Sequence, residues 1–429
     1  MSIALLDLND CNLQLWHQDT HVQSPGYALL RGQQYTFGAQ ARAGARLQPR
    51  DINTRYWWQL STEALQPALG PARHTGDLAH AHLQALHREA QQPSEMVLAV
   101  SGTMAHDQLS LLLGIVQQCP FDAVGLVNRS VALGSLYSHS ERLFHLEIQL
   151  HQAVICELTA HNNTLDLQRT VPLPGCGLLQ VQERLVEIIA AAFVRQTRFD
   201  PRRKAETEQQ LYDALPATLL ALQNSNETNV DVNGYQARIN STDLQAAGTR
   251  LFDSARETIG LQQSGDQVIA DPLAALVPGL KDQFQNLDFL QANDIHRALL
   301  LHQEQLIQRE GGLSFITSLP CMQEKIRPTK ETATAVVAAP TPISTRQPTQ
   351  AAPPTHLLRE HCATPLSASG TALAADWELY KGEQGWLLRG TGTAAAVNGE
   401  TYTNGQTLAC GDSISIGATF DALLIAVET

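Results

Sequence analysis

No packed domain can run through residues 324–354. That stretch is rich in Pro, Thr and Ala and carries no apolar period. A segment of this composition buries too little surface to offset the entropy of ordering it. It reads as a flexible linker over residues 323–355. The 429-residue chain is thereby divided into a long first part, 1–322, and a short second part, 356–429. The first is long enough for a large core and the second for one small domain.

The first part alternates strand and helix signals. Ile3–Trp16 opens it as an apolar run that reaches Asp7, turns through Leu8-Asn9-Asp10-Cys11 and resumes as an alternating strand. Met96–Val100 and Ala123–Val127 read as buried strands, Thr75–Gln92 and Asp107–Cys119 as helices, and Ser130–Tyr137 as a small-residue helix. Thr75 is placed to cap its helix, whose His80, His82 and His87 read as a solvated face. Leu143–Leu158 is a hairpin with Phe144, Leu146, Ile148 and Leu150 on one face and His145, Glu147, Gln149 and His151 on the other. That polar face suits solvent or the lining of a cleft. A metal site from His145, Glu147 and His151 would need alternate residues of a flat strand to converge. Thr228–Ile239 has the alternation and the Asn-Gly of a hairpin turn. Together these give an α/β domain. The second part, from Trp377 to Val427, is all-β, with short alternating runs separated by Gly and Asn turns.

Charge and cysteines narrow the function classes. The net charge of −13 argues against nucleic acid or an anionic membrane as the partner, since either calls for a basic patch. The seven cysteines are scattered, with no CxxC, which suits a reducing cytoplasm without disulfides or a zinc ribbon. No apolar stretch is long enough to span a bilayer, and the N-terminal apolar run is broken by Asp7, unlike a signal peptide. Neither a glycine-rich phosphate motif nor a nucleophile elbow occurs.

Several segments of residues 1 to about 320 fall in one family's order. Asp7-Leu8 is placed as the start of a first phosphate motif. Phe37-Gly38-Ala39-Gln40-Ala41, with Pro49, Asn53 and Thr54, is similar to a G-x-x-A segment with a later N-P-x-N-T. Asp107-Gln108 and Leu126-Val127-Asn128 are similar to a D-x-Q helix and a connecting I-I-N-E stretch, and Ala132 falls in the small-residue helix that follows. Leu143–Leu158 is placed as a second phosphate motif, Ala205–Leu211 as a helix with A-K-x-x-L, Thr228–Leu244 as an exposed hairpin with its helix, and Val277-Pro278-Gly279-Leu280 as the end of an adenosine motif. In this order they resemble the nucleotide-binding domain of the seventy-kilodalton heat-shock chaperones, of the actin and sugar-kinase superfamily.

The resemblance implies an actin-like duplicated ribonuclease-H-type domain with a central cleft, made to hold ATP and Mg²⁺. Asp7 would be the Mg²⁺- or water-positioning carboxylate and Glu147 the acid of the second loop, these two forming the catalytic pair. Asn9, Asp10, Cys11, Gln149, His151, Ala270 and Asp271 would line the cleft. The departures from the family pattern carry equal weight. Asn9 and Asp10 replace the Gly and Thr of the first phosphate loop, and Asp10 adds negative charge where phosphate would lie. No glycine follows Glu147, and Val268-Ile269-Ala270-Asp271 lacks the paired glycines of the adenosine motif.

The second part resembles the second half of a forkhead-associated domain through Val397-Asn398-Gly399, Leu408, Gly411-Asp412, Ile414 and Ile416-Gly417. The phosphothreonine-reading half-pattern is missing before Trp377, and Arg389 is the only Arg after Arg359. The expected protein is a cytoplasmic chaperone-like scaffold, a pseudo-ATPase that contacts protein partners through both parts. The alternatives are a working ATPase, a sugar kinase on the same fold and an actin-like polymer former.

Overall fold

The computed structural model describes residues 3–137, 142–263, 265–309 and 312–321, and 354–425 with short gaps. The chain forms two compact units, Met1–Lys330 and Glu331–Thr429. The expected linker lies almost wholly outside the described residues, as do Gly399 and Gly417 of the forkhead-like pattern.

The first unit is mixed α/β and holds two six-stranded sheets. The first sheet runs Phe315–Ile316, Asp122–Asn128, Glu95–Val100, Ala4–Leu8, Leu13–His17, Thr20–Ser24. The second runs Leu287–Phe289, Gln267–Ala270, Arg142–Ile148, Gln152–His161, Thr164–Pro174, Ser318–Pro320. Each sheet contains the same arrangement. An antiparallel three-strand meander places its first strand centrally, and that strand then pairs in parallel with a later one. The central strand of the first sheet, Ala4–Leu8, is buried at all five positions. A strand covered on both faces reads as a continuous apolar run, which is what ALLDL provides. The tail of the unit joins both sheets. Phe315–Ile316 pairs with Leu126–Val127 in the first, and Ser318–Pro320 with Thr164–Asp166 in the second.

The period of two along each strand decides which side chains meet between the sheets. In Ala4–Leu8, Ala4, Leu6 and Leu8 join the core on the outer face of the first sheet, while Leu5 joins an inner core shared by both sheets. Asp7 shares the inner face with Leu5. In Arg142–Ile148, Phe144, Leu146 and Ile148 face the outer core of the second sheet, and Leu143 the inner one. His145 and Glu147 therefore point inward. In Gln267–Ala270, Val268 and Ala270 face outward and Ile269 inward, so Asp271 continues the inner face. The helices Arg129–Gly134 and Asp294–Leu301 contribute Val131, Ala132, Leu133, Ile295, Ala298 and Leu299 to the inner core.

Three expectations change on contact with the fold. Of the two readings of the polar face, solvent is excluded for His145 and Glu147, which are wholly buried because the inner face of their strand is covered by the first sheet. His82 is also fully buried. Trp57 Nε1 donates to its Nδ1 at 3.1 Å, so its Nε2–H donates to Ser24 Oγ at 2.7 Å, and burial lowers its pKa to about 3. The cap of its helix is His74, whose ring accepts from Asp77 N, while Thr75 Oγ1 donates to the Gln59 carbonyl. The Asn-Gly hairpin does form. It joins Glu227–Val232 to Tyr235–Asn240, with φ of 53° at Asn233 and 80° at Gly234.

The second unit has a six-stranded and a three-stranded antiparallel sheet. Leu379, Trp386 and Leu388 of one and Leu357, Ile414, Ile416 and Leu424 of the other form a single core. Asn398 at the end of Ala395–Val397 donates to Asp412 Oδ1 at 2.8 Å and accepts from Ser413 N at 2.9 Å. This explains why those residue types recur at its turns. Among the described residues, no helix is long and apolar enough to cross a membrane.

Candidate functional site

The inward-facing acids of the first unit converge on one cation. Arg129 is the first residue of the helix that follows Asp122–Asn128, and it is 4% exposed. Its Nε donates to Asp7 Oδ1 at 2.8 Å, and its Nη1 to Asp271 Oδ1 at 2.7 Å. Asp7 belongs to the first sheet and Asp271 to the end of a strand in the second. One guanidinium thus ties the two sheets together at full burial.

Asp271 is the better satisfied acid. Its Oδ2 accepts from Ile148 N at 2.9 Å and from Asn9 Nδ2 at 3.3 Å, and His145 Nε2 lies 3.5 Å from Oδ1. Burial pushes its pKa up, but the Arg129 charge and the donors around it outweigh burial and hold it near 2. Asp7 has the same cation and fewer donors, and its Oδ2 has no partner. Burial therefore prevails over Arg129 and raises its pKa to about 6. Two acids on one Arg move in opposite directions because Asp271 also has His145 beside it, whereas the other charges near Asp7 are the carboxylates of Asp271 and Glu147.

The two turns at the ends of the central strands close directly on each other. Asn9 Nδ2 donates to the Ile148 carbonyl at 3.0 Å, and Leu150 N donates to Asp10 Oδ1 at 2.8 Å. Behind the second turn begins the helix Leu178–Thr197. Its first N–H groups are the usual place for an anion to bind. Here Leu178 N donates to the Gln149 carbonyl at 2.8 Å and Leu179 N to the Leu150 carbonyl at 3.0 Å. Gly177 permits this approach, since a Cβ there would meet backbone atoms of residues 150–152 at 2.4–2.5 Å.

Glu147 and Asp10 complete the polar junction. Gln149 Nε2 donates to Glu147 Oε1 at 2.8 Å, and Gln152 Nε2 donates to Gln149 Oε1 at 2.8 Å. Glu147 Oε2 has no partner. Burial raises the Asp10 pKa to about 7, the backbone N–H of Leu150 opposes this, and the nearby Glu147 charge adds to it. Beside these residues lies a cavity of 180 Å³ bordered by Asp10, Trp57, Trp58, Thr103, Gln149 and Gln152, among others.

Asp7, Asn9, Asp10, Glu147, Gln149 and Asp271 of the sequence-derived set therefore stand together. Ala270 lies on the opposite face, in the outer core of the second sheet, because it is out of phase with Asp271, and Cys11, in the turn after the first strand, packs into that same core. His151 turns away. Its Nε2 lies 3.0 Å from Thr54 Oγ1, its ring stacks on Trp58 at 5.2 Å, and burial followed by the Arg55 charge lowers its pKa to about 4. His145, Glu147 and His151 do not form a metal site, and no metal-sized cluster of His, Cys, Asp and Glu occurs among the described residues. Sequence reading missed Arg129 and its neighbour Ser130, whose Oγ lies 2.8 Å from His145 Nδ1. The available signal was a lone Arg inside the otherwise uncharged run GLVNRSVALG. No family model matches this chain, and no curated protein matches it either.

Proposed function

We propose that the first unit is an actin- and heat-shock-type domain that has lost nucleotide hydrolysis and serves as a cytoplasmic protein-binding scaffold. The repeated strand order of its two sheets supports a duplicated ribonuclease-H-type architecture. One observation carries the loss of hydrolysis. The positions that the family uses to hold phosphates and Mg²⁺ are joined to each other by Arg129, Asn9 and Asp10. A guanidinium already neutralises Asp7, and loop carbonyls already occupy the helix N-terminus. Asp10 and Glu147 add negative charge that opposes phosphate. The 180 Å³ cavity beside them is below the roughly 300–1,000 Å³ of ordinary ligand pockets.

The second unit is proposed to contact protein without reading phosphate. Its Arg389 is ion-paired with Glu378, and its guanidinium lies 4.6 Å from the Tyr380 ring centre. A phosphate would have to displace both.

The second reading is a working ATPase. It is favoured by two buried carboxylate oxygens without partners, Asp7 Oδ2 and Glu147 Oε2, which could place Mg²⁺ or water after an opening of the junction. Steady-state ATP turnover by the purified full chain separates the readings. We expect none above background. Turnover that is lost in both Asp7→Asn and Glu147→Gln would establish the ATPase instead.

A further inference from the structure

The cavity at the junction has a chemistry of its own. Asp10 is 6% exposed and lines it. The strongest charge acting on Asp10 is another carboxylate, Glu147, and among the described residues neither acid is in an ion pair. Buried carboxylates are normally paired or neutralised. Here the guanidinium of the junction, Arg129, is committed to Asp7 and Asp271.

The rest of the wall also favours a cation over an anion. Trp58 and Met104 supply aromatic and polarisable surface. The indole N–H of Trp57 is taken by His82, so it offers its ring to the cavity. Gln152 donates one amide hydrogen to Gln149 and Gln149 one to Glu147 Oε1, a relay that runs from the cavity wall to the Glu147 carboxylate, whose other oxygen has no partner. Thr103 and Ser101, whose hydroxyls lie 3.1 Å apart, add acceptors for an N–H donor. Among the described residues, no Lys, Arg or His lines the cavity.

We propose that this cavity binds a small organic cation of the primary alkylammonium class, with the ammonium on Asp10 and the alkyl chain against Trp58 and Met104. The volume of 180 Å³ suits a short chain and excludes a nucleotide. This goes beyond the scaffold reading and gives the closed junction a ligand.

The test uses the full-length chain and isothermal calorimetry with n-butylammonium, n-butanol, inorganic phosphate and MgATP. Saturable binding of n-butylammonium is expected, with at least tenfold weaker binding of n-butanol and none of phosphate. Asp10→Asn should weaken the ammonium at least tenfold. Trp58→Ala, which leaves the acid in place, should weaken it severalfold while circular dichroism stays unchanged. No binding of n-butylammonium, or equal binding of amine and alcohol, overturns the proposal. Binding of phosphate at this cavity overturns it as well. MgATP binding would overturn the scaffold reading too, whereas silence from both ligands removes only the cation site.

Discussion

Arg129 decides the character of the junction at the scale of single residues. Among the described residues it is the one guanidinium among Asp7, Asp271, Glu147 and Asp10. Removing one partner of a buried pair leaves an uncompensated charge, at a cost of about 3–5 kcal/mol. Arg129→Ala is expected to lower stability by about that amount in urea unfolding. Arg129→Lys should recover only part of it, because an ammonium cannot reproduce the forked geometry that reaches two carboxylates. Equal stability of the Lys variant and the parent would mean that the bridge acts as a point charge only. The acids set the pH response. Asp7 and Asp10 have raised folded-state pKa values, about 6 and about 7. Their contribution is fully present below about pH 4 and is lost as pH rises through those values. Asp271 is lowered to about 2, so its contribution is present above about pH 4 and lost below it. The junction is therefore expected to contribute most near pH 4–5. Between pH 5 and 7.5 the urea midpoint should fall, and Asp10→Asn should flatten that fall. A midpoint that rises over this interval contradicts the assignment.

Element by element, the sequence made the strands legible and left their faces unreadable. Ala4–Leu8 and Glu95–Val100 announce themselves as buried strands because both faces are apolar. Leu143–Leu158 shows a clean alternation, yet its polar face is buried. Period alone tells which residues share a face and never what covers it. Only the second sheet's contact with the first, made by residues far apart in the chain, buries His145 and Glu147. Asp7, Asp10, Glu147 and Asp271 were found through the resemblance of ordered segments. Arg129 was not, since one Arg in a helix start carries no pattern. His82 was misplaced for a related reason. Its buried partners Ser24, Tyr56 and Trp57 come from other elements. Gly177 gives a test at this scale. A Cβ there would press on the backbone of residues 150–152, and overpacking costs about 1–3 kcal/mol. Gly177→Ala is expected to destabilise by that order, while Gly114→Ala, where a Cβ meets nothing within 4 Å, should be neutral or slightly stabilising. Equal effects at both sites would show that the helix does not press on the turn.

At the scale of the whole molecule, the two units carry separate cores, and the sequence break at residues 324–354 announced this division. Calorimetric unfolding of the full chain should show two transitions, each matching that of the separately produced unit, 1–330 or 331–429. A single transition lost on separation would contradict independent folding. The first unit repeats one sheet arrangement and closes the junction between the two copies with its own side chains. Where the proposed actin- and heat-shock-type reading would put phosphates and Mg²⁺, this chain has Arg129, Asn9 and Asp10. The most direct test of that substitution is calorimetric titration of MgATP into the full-length protein. No saturable heat is expected up to millimolar nucleotide. Micromolar binding that Asp7→Ala weakens would contradict it.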